Sequence, residues 1–310
     1  MKLPPRIPPA APARHFVLPM TAALLPAQLH PSPPEPVPAP GKVEPGSGAP
    51  GRARRNLRKI LSPFDTLAAR QPHMVAKPLA AFECTGQSYS VPRYLYQGPP
   101  GGGETIRLGI FATIHGDEPE GVLGLARLLE ILERDREIAQ GYALFLYPIC
   151  NPTGFEDHTR QNRLGVDLNR KFWQNSEHPE VRMLESEIWM QAFDGIITLH
   201  SDDTSNGLYG FVRGHVLSEA LLRPALLEAG RFLPRNHGEV IDGFPARSSV
   251  ITEGYPGMLQ STPGLEAPPF EITLETPQRA PLHRQVEALA AALKTILVEY
   301  RYLQAIAINI

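Results

Sequence analysis

Proline is distributed so unevenly along this chain that it fixes where a fold can begin. Fifteen of the 34 prolines fall in residues 1–50, among them Pro31, Pro33, Pro34, Pro36, Pro38 and Pro40. Proline has no amide donor and locks its own φ, so this density excludes helix and sheet and leaves extended, polyproline-like chain. Residues 1–60 are therefore expected to form a disordered, Pro-rich extension that closes on a basic stretch from Arg52 to Lys59, with Arg54, Arg55 and Arg58 inside it. A solvated linker is the plain reading of that stretch; a site for nucleic acid or an acidic partner is the other. Phe16 to Ala27 is mostly apolar, yet Pro19 and Pro26 interrupt it and no small-x-small cleavage site follows, which speaks against a secretory signal.

Composition narrows the function classes. The formal charge of -2 lacks the basic excess of a dedicated nucleic-acid binder. No run approaches the roughly 18–20 apolar residues of a membrane-spanning helix, so no membrane partner is expected. Two cysteines, Cys84 and Cys150, are too few for a disulfide framework or a four-thiolate zinc site, and a reducing, cytoplasmic setting is expected. Cys150 ends an apolar run and reads as a small core hydrophobe.

From about residue 76 the texture becomes that of a folded domain running to residue 310. Arg107 to Ile114 and Tyr142 to Ile149 read as buried strands. Residues 119–133 place Val122, Leu125, Leu128, Leu129 and Leu132 at helical spacing. A helix over 180–192, a strand ending Gly195 to Leu199, a strand from Leu208 to Val212 and a helix over 216–231 follow. A strand from Phe270 to Leu274 and a terminal helix over 281–301 complete the order. Strands alternating with helices imply an α/β fold with a mixed, largely parallel central sheet and helices on both faces. Gly101, Gly102 and Gly103 are not followed by a Lys-Ser/Thr pair, so they read as a hairpin or flexible turn rather than a phosphate loop.

Open α/β sheets place their sites at the carboxyl ends of strands, and three groups fall there. His115 and Glu118 follow the first strand, His200 follows the run ending at Leu199, and Glu275 closes the run from Ile272. An imidazole and a carboxylate three residues apart can converge on one cation, and a catalytic zinc takes three such N/O ligands with one open position. Taken alone the spacing equally describes a surface histidine beside a helix-capping carboxylate. The loop from Asn151 to Arg170 presents Arg160, Arg163, Asn169 and Arg170. Guanidinium forks suit a bidentate carboxylate, though salt bridges to Asp157 and Asp167 would explain the same arginines.

The ordered set H-G-D-E at 115–118, R-Q-N-R-x-G-V-D-L-N-R at 160–170, T-L-H at 198–200 and T-L-E at 273–275 resembles the M14 family of zinc carboxypeptidases, over roughly residues 100–280. The resemblance implies a zinc carboxypeptidase-like fold and one zinc ion per chain on His115, Glu118 and His200. It implies Glu275 as general base, Arg163 as the oxyanion stabiliser, and Asn169 and Arg170 as the grip on a substrate carboxylate. Arg160 resembles an auxiliary substrate-binding arginine, with a structural salt bridge as the alternative. Tyr255, 20 residues ahead of Glu275, resembles the family's mobile tyrosine, which usually lies about two dozen residues ahead, and is expected to bind substrate; a loop aromatic covering the core is the alternative. Asp117 and Asp167 are expected to orient ligands through hydrogen bonds.

The substrate implied is a small peptide with a free carboxylate, cleaved at its C-terminal residue, with cell-wall-peptide amidases as similar enzymes. A related branch, the succinylglutamate desuccinylase/aspartoacylase group, removes an acyl group from an N-acyl amino acid. The loop pattern at 160–170 is closer to the peptidases, and only 35 residues follow Glu275, where the deacylases carry a further β-rich domain. The alternative from another class is a non-catalytic adaptor acting through the Pro-rich segment.

Overall fold

The computed structural model describes residues 53–214 and 217–308. The Pro-rich segment and the apolar stretch at Phe16 to Ala27 lie outside the described residues. In chain order the elements are α1 (Leu57–Arg70), β1 (Met74–Ala76), the hairpin β2 (Ala81–Cys84) and β3 (Gln87–Ser90), β4 (Tyr94–Gln97), β5 (Ile106–Ala112) and α2 (Glu120–Arg134). Next come β6 (Tyr142–Tyr147), the short α3 (Pro152–Asp157), α4 (Pro179–Gln191), β7 (Gly195–Asp202), β8 (Tyr209–Gly214) and α5 (Leu217–Ala229). β9 (Val240–Ile241), β10 (Phe244–Arg247), β11 (Val250–Ile251), β12 (Phe270–Pro277) and α6 (Leu282–Ile308) complete the chain.

Ten strands form one sheet in the order β1-β4-β6-β5-β7-β12-β8-β11-β10-β9. The four in the middle, β6, β5, β7 and β12, run parallel, and they are the apolar runs read from the sequence. Helices cover both faces. Leu108 and Ile110 of β5, Ile197 and Leu199 of β7, and Ile272 and Leu274 of β12 pack with α2, α5 and α6. Phe111 and Ile196 turn the other way, toward Val181, Leu184 and Ile188 of α4. That alternation is the two-residue period of a pleated strand, and it decides where the polar residues of these strands point.

Helical structure starts at Leu57, across the boundary expected at residue 60 and ahead of the one at 76. Phe64 of α1 is fully buried, its ring lies 5.2 Å from that of Tyr94, and Tyr94 donates to Asp65 Oδ1 at 2.6 Å. The glycines at 101–103 do not form a hairpin, because β6 lies between the flanking strands β4 and β5. Cys150 is wholly buried, and burial pushes its thiol pKa up. No helix among the described residues is long and apolar enough to cross a membrane.

Candidate metal centre and its cavity

The turn after β5 is held from several sides. Thr113 adopts φ +54°, a left-handed conformation rare for a β-branched residue and common where function constrains backbone. Its hydroxyl donates to the Glu118 carbonyl at 3.3 Å, and the Asn151 amide donates to Ile114 O at 3.2 Å. Asn151 also caps α3 by accepting from Gly154 N at 2.9 Å. Gly116 presses against that helix so closely that a Cβ would lie 2.0 Å from Gly154 C and 2.2 Å from Phe155 N. We expect Gly116→Ala to lower stability by roughly 1–3 kcal/mol through overpacking. Thermal unfolding of the metal-free variant measures it, and an unchanged Tm would show that α3 can yield.

The turn delivers His115 and Glu118 to the end of β7, where His200 stands. His115 Nδ1 lies 2.7 Å from Glu118 Oε1, His200 Nδ1 lies 3.1 Å from Glu118 Oε2, and the two Nδ1 atoms are 3.2 Å apart. All three residues are buried. A tetrahedral zinc with bonds of about 2.0–2.1 Å separates its donors by roughly 3.3 Å, so the spacing and donor set fit such an ion. Two imidazole nitrogens facing each other beside one carboxylate are poorly satisfied by protons alone; a cation between them satisfies all three.

Electrostatics suit the same occupant. Burial alone would raise the Glu118 pKa, but His115 and His200 outweigh it and hold the carboxyl far below its usual range. Burial pulls His200 down, toward the neutral imidazole a metal needs. For His115, burial acts downward, yet Glu118 and Asp167 prevail and raise it. Around these ligands, Asp167 Oδ1 stands 3.3 Å from His115 Nε2, and the Ser201 amide donates to Glu118 Oε2 at 3.2 Å. Asp117, expected to orient a ligand, instead leaves Oδ1 buried without a hydrogen bond.

Glu275 lies in register with His200 across the parallel pair β12–β7. The Thr198–Thr273 hydroxyl contact of 2.7 Å marks the shared face two residues earlier on both strands. Burial, then the like charges of Glu118, Asp202 and Asp242, push the Glu275 pKa well above the carboxylate range.

A cavity of about 380 Å³ opens over this group. Of the nine residues singled out from the sequence, all but Arg163 line it. Arg160 stands over the ligands, with Nη1 3.8 Å from Glu118 Oε1 and Nε 3.1 Å from Asp167 Oδ2. Asn169 Oδ1 accepts from Leu259 N at 2.8 Å. The Arg170 guanidinium lies 4.3 Å from the centroid of the Tyr255 ring, and the Tyr255 hydroxyl donates to Asp242 Oδ1 at 3.0 Å.

Arg163 does not line this cavity. Its guanidinium grips Asp157 at 2.7 and 2.8 Å and Glu156 at 3.1 Å and bonds Tyr89, tying the β2–β3 hairpin to α3. Its carboxylate partners lie away from the metal group, whereas those of Arg160 are Glu118 and Asp167. Sequence reading also missed Asp202, Tyr209 and Asp242 on the cavity wall. One of them carried a signal: Asp202 is two residues beyond His200 on one strand, whereas Tyr209 is placed by its pairing with Glu275, which only the fold reveals. Asp242, on the loop between β9 and β10, carried none.

Residues 104–231 match the model of the succinylglutamate desuccinylase/aspartoacylase catalytic domain. The resemblance to the M14-like group holds. A provisionally assigned metallopeptidase from Shewanella amazonensis SB2B is 25% identical, with a TM-score of 0.64, over 78% of this chain and 92% of its own. One from Shewanella denitrificans OS217 is 21% identical, with a TM-score of 0.65, over 79% and 90%. A metallo-carboxypeptidase from Pseudomonas aeruginosa, in complex with (2-guanidinoethylmercapto)succinic acid, is 20% identical, with a TM-score of 0.58, over 78% and 68%. No curated protein matches the chain. The fold is that of the metallo-carboxypeptidases, the family model and fold neighbours point to a hydrolase of carboxypeptidase-like type, and His115, Glu118 and His200 form a group able to hold a metal ion.

Proposed function

We propose that the chain is a zinc-dependent amidohydrolase that releases the C-terminal amino acid of a short peptide, with one zinc per chain. The observation that carries this reading is the meeting of the His115, Glu118 and His200 donor atoms, all within 4.8 Å of one another, in a cavity shared with Glu275, Arg160 and Arg170. Zinc held there supplies a water acidified to a pKa of about 7 and a Lewis acid for the carbonyl. Glu275, which makes no side-chain hydrogen bond among the described residues, takes a proton at its carboxylate and returns it to the leaving nitrogen. Arg160 faces the charge that builds on the carbonyl oxygen. Arg170, its plane fixed on Tyr255, holds the terminal carboxylate beside Asn169.

The family model keeps a second reading in view, removal of an acyl group from an N-acyl amino acid. Charge favours the peptide. Asp117, Asp202, Asp203 and Asp242 join Glu118 and Glu275 on the cavity lining, against Arg160 and Arg170, an unfavourable setting for a substrate bearing two or three carboxylates. A peptide brings one carboxylate and can offer a cation to the acids. The test is release of amino acid from short L-linked and γ-D-linked peptides, beside N-acetylaspartate and N-succinylglutamate. Turnover of the N-acyl acids alone would overturn the peptidase reading.

Two arginines of one loop should separate cleanly. Arg160→Ala should lower kcat by roughly 10²–10³-fold with an intact fold, the loss typical of an oxyanion donor. Arg163→Ala should leave kcat nearly unchanged and cost about 2–3 kcal/mol of stability, from severed charged hydrogen bonds. Steady-state kinetics and denaturant titration on both variants decide the pair, and the reverse pattern would return the oxyanion role to Arg163.

A further inference from the structure

One arginine of the basic stretch, Arg55, does not stay in solvent. Arg55 reaches inward, and its Nη1 donates to the carbonyl of Gly116 at 2.7 Å, between the ligands His115 and Glu118. Its guanidinium lies 5.2 Å from the centroid of the buried Phe155 ring, and its own amide donates to Glu156 O at 2.9 Å. The same helix, α3, is the surface against which Gly116 is wedged. On the other side of that residue, the Gly116 amide donates to Arg160 O at 3.4 Å. The two peptide groups of Gly116 are therefore held by separate partners, one by the cavity loop and one by Arg55.

We propose that Arg55 is a positioning residue for the metal centre, a strap from outside the catalytic domain's expected limits that sets the angle of the His115–Glu118 turn. The proposal rests on the zinc reading above. The Gly116 carbonyl belongs to a buried residue, so without Arg55 an acceptor is left unpaired, and the peptide plane rotates to find another donor. His115 and Glu118 flank that peptide in the chain, with Nδ1 and Oε1 2.7 Å apart, and rotation spreads them. Arginine suits the task because one planar group can donate at its edge and stack on Phe155 with its face. α1 holds the strap in place: Asn56 caps it by accepting from Lys59 N at 3.0 Å, and Phe64 anchors it in the core. Arg54, the neighbour, pairs with Asp157 at 3.2 Å and donates to Gln87 Oε1 at 3.4 Å rather than to the turn, which makes it the internal control.

The experiment measures zinc affinity by competition with a chromophoric chelator, on the full chain carrying Arg55→Met, Arg55→Ala, Arg55→Lys or Arg54→Ala. Arg55→Met and Arg55→Ala should bind zinc about ten-fold or more weakly, the usual loss for a partner that orients a ligand. Arg55→Lys should recover part of it, and Arg54→Ala should stay within about two-fold of wild type. The visible absorption of the cobalt(II)-loaded chain should shift in Arg55→Met, because a changed donor geometry changes the ligand field. If Arg55→Ala does not fold, Arg55→Met, which keeps the apolar stem on Phe155, carries the comparison. Equal zinc affinity in wild type and Arg55→Met overturns the strap and leaves the zinc reading intact. An equal loss in Arg54→Ala also overturns it, assigning the effect to the segment as a whole. A wild type that binds no zinc overturns both.

Discussion

His200→Ala should purify with no bound zinc and with turnover reduced by at least about three orders of magnitude, as expected where an ion's acidified water carries the reaction. The size follows from the donor set. Three protein ligands are the minimum for a catalytic zinc, and His200 is the only one of the three from β7. Its loss leaves His115 and Glu118 on a single turn, a pair that gives the ion no third direction. The substitution removes a ring whose backbone sits in the central parallel pair with β12, so the strand should persist and the apo fold with it. Metal analysis of the purified protein, with far-ultraviolet circular dichroism as the check on folding, reads both halves. A folded His200→Ala that keeps one zinc per chain would place the ion elsewhere.

Glu275→Gln should behave in the opposite way, keeping its zinc and losing roughly 10²–10⁴-fold in kcat, the range for removing a general acid–base group. Glutamine preserves shape and removes the ability to take and return a proton. The substitution also relieves a half-buried carboxyl that desolvation and its neighbours Glu118, Asp202 and Asp242 disfavour as an anion. The variant is accordingly expected to be at least as stable as wild type, because the acid's cost in the folded state goes with it. Loss of activity with a raised or unchanged Tm and full zinc content is the pattern that assigns Glu275 to proton transfer. A variant that lost its metal would make Glu275 a ligand or a scaffold for one.

Much of this arrangement was legible in the residues. The four parallel strands announced themselves as short apolar runs, and α2 by the spacing of Val122, Leu125, Leu128, Leu129 and Leu132. The metal ligands were legible as polar residues at strand ends. What escaped has physical causes. α1 carries Leu57, Ile60, Leu61, Phe64, Leu67 and Ala68 at helical spacing, but Pro63 inside it and the proline density before it hid the period. The strands β1 to β4 and β9 to β11 are two to four residues long, too short for alternation to stand out. Arg160 and Arg163 differ by three positions in one irregular loop, where no period tells which faces the cavity. Only the partners decide: Asp157 and Glu156 hold one, Asp167 and the ligand carboxylate the other.

The pairing of Glu275 with His200 across β7 and β12 has a consequence for anyone who would lengthen or shorten these strands. Neighbouring positions on β12, Leu274 and Thr276, point to the opposite side of the sheet, so inserting or deleting a single amino acid upstream in the strand would bury Glu275 among helices and turn a leucine or threonine into the cavity. Changes in pairs preserve the side but move the carboxylate by about 6.6 Å along the strand, out of reach of the scissile bond.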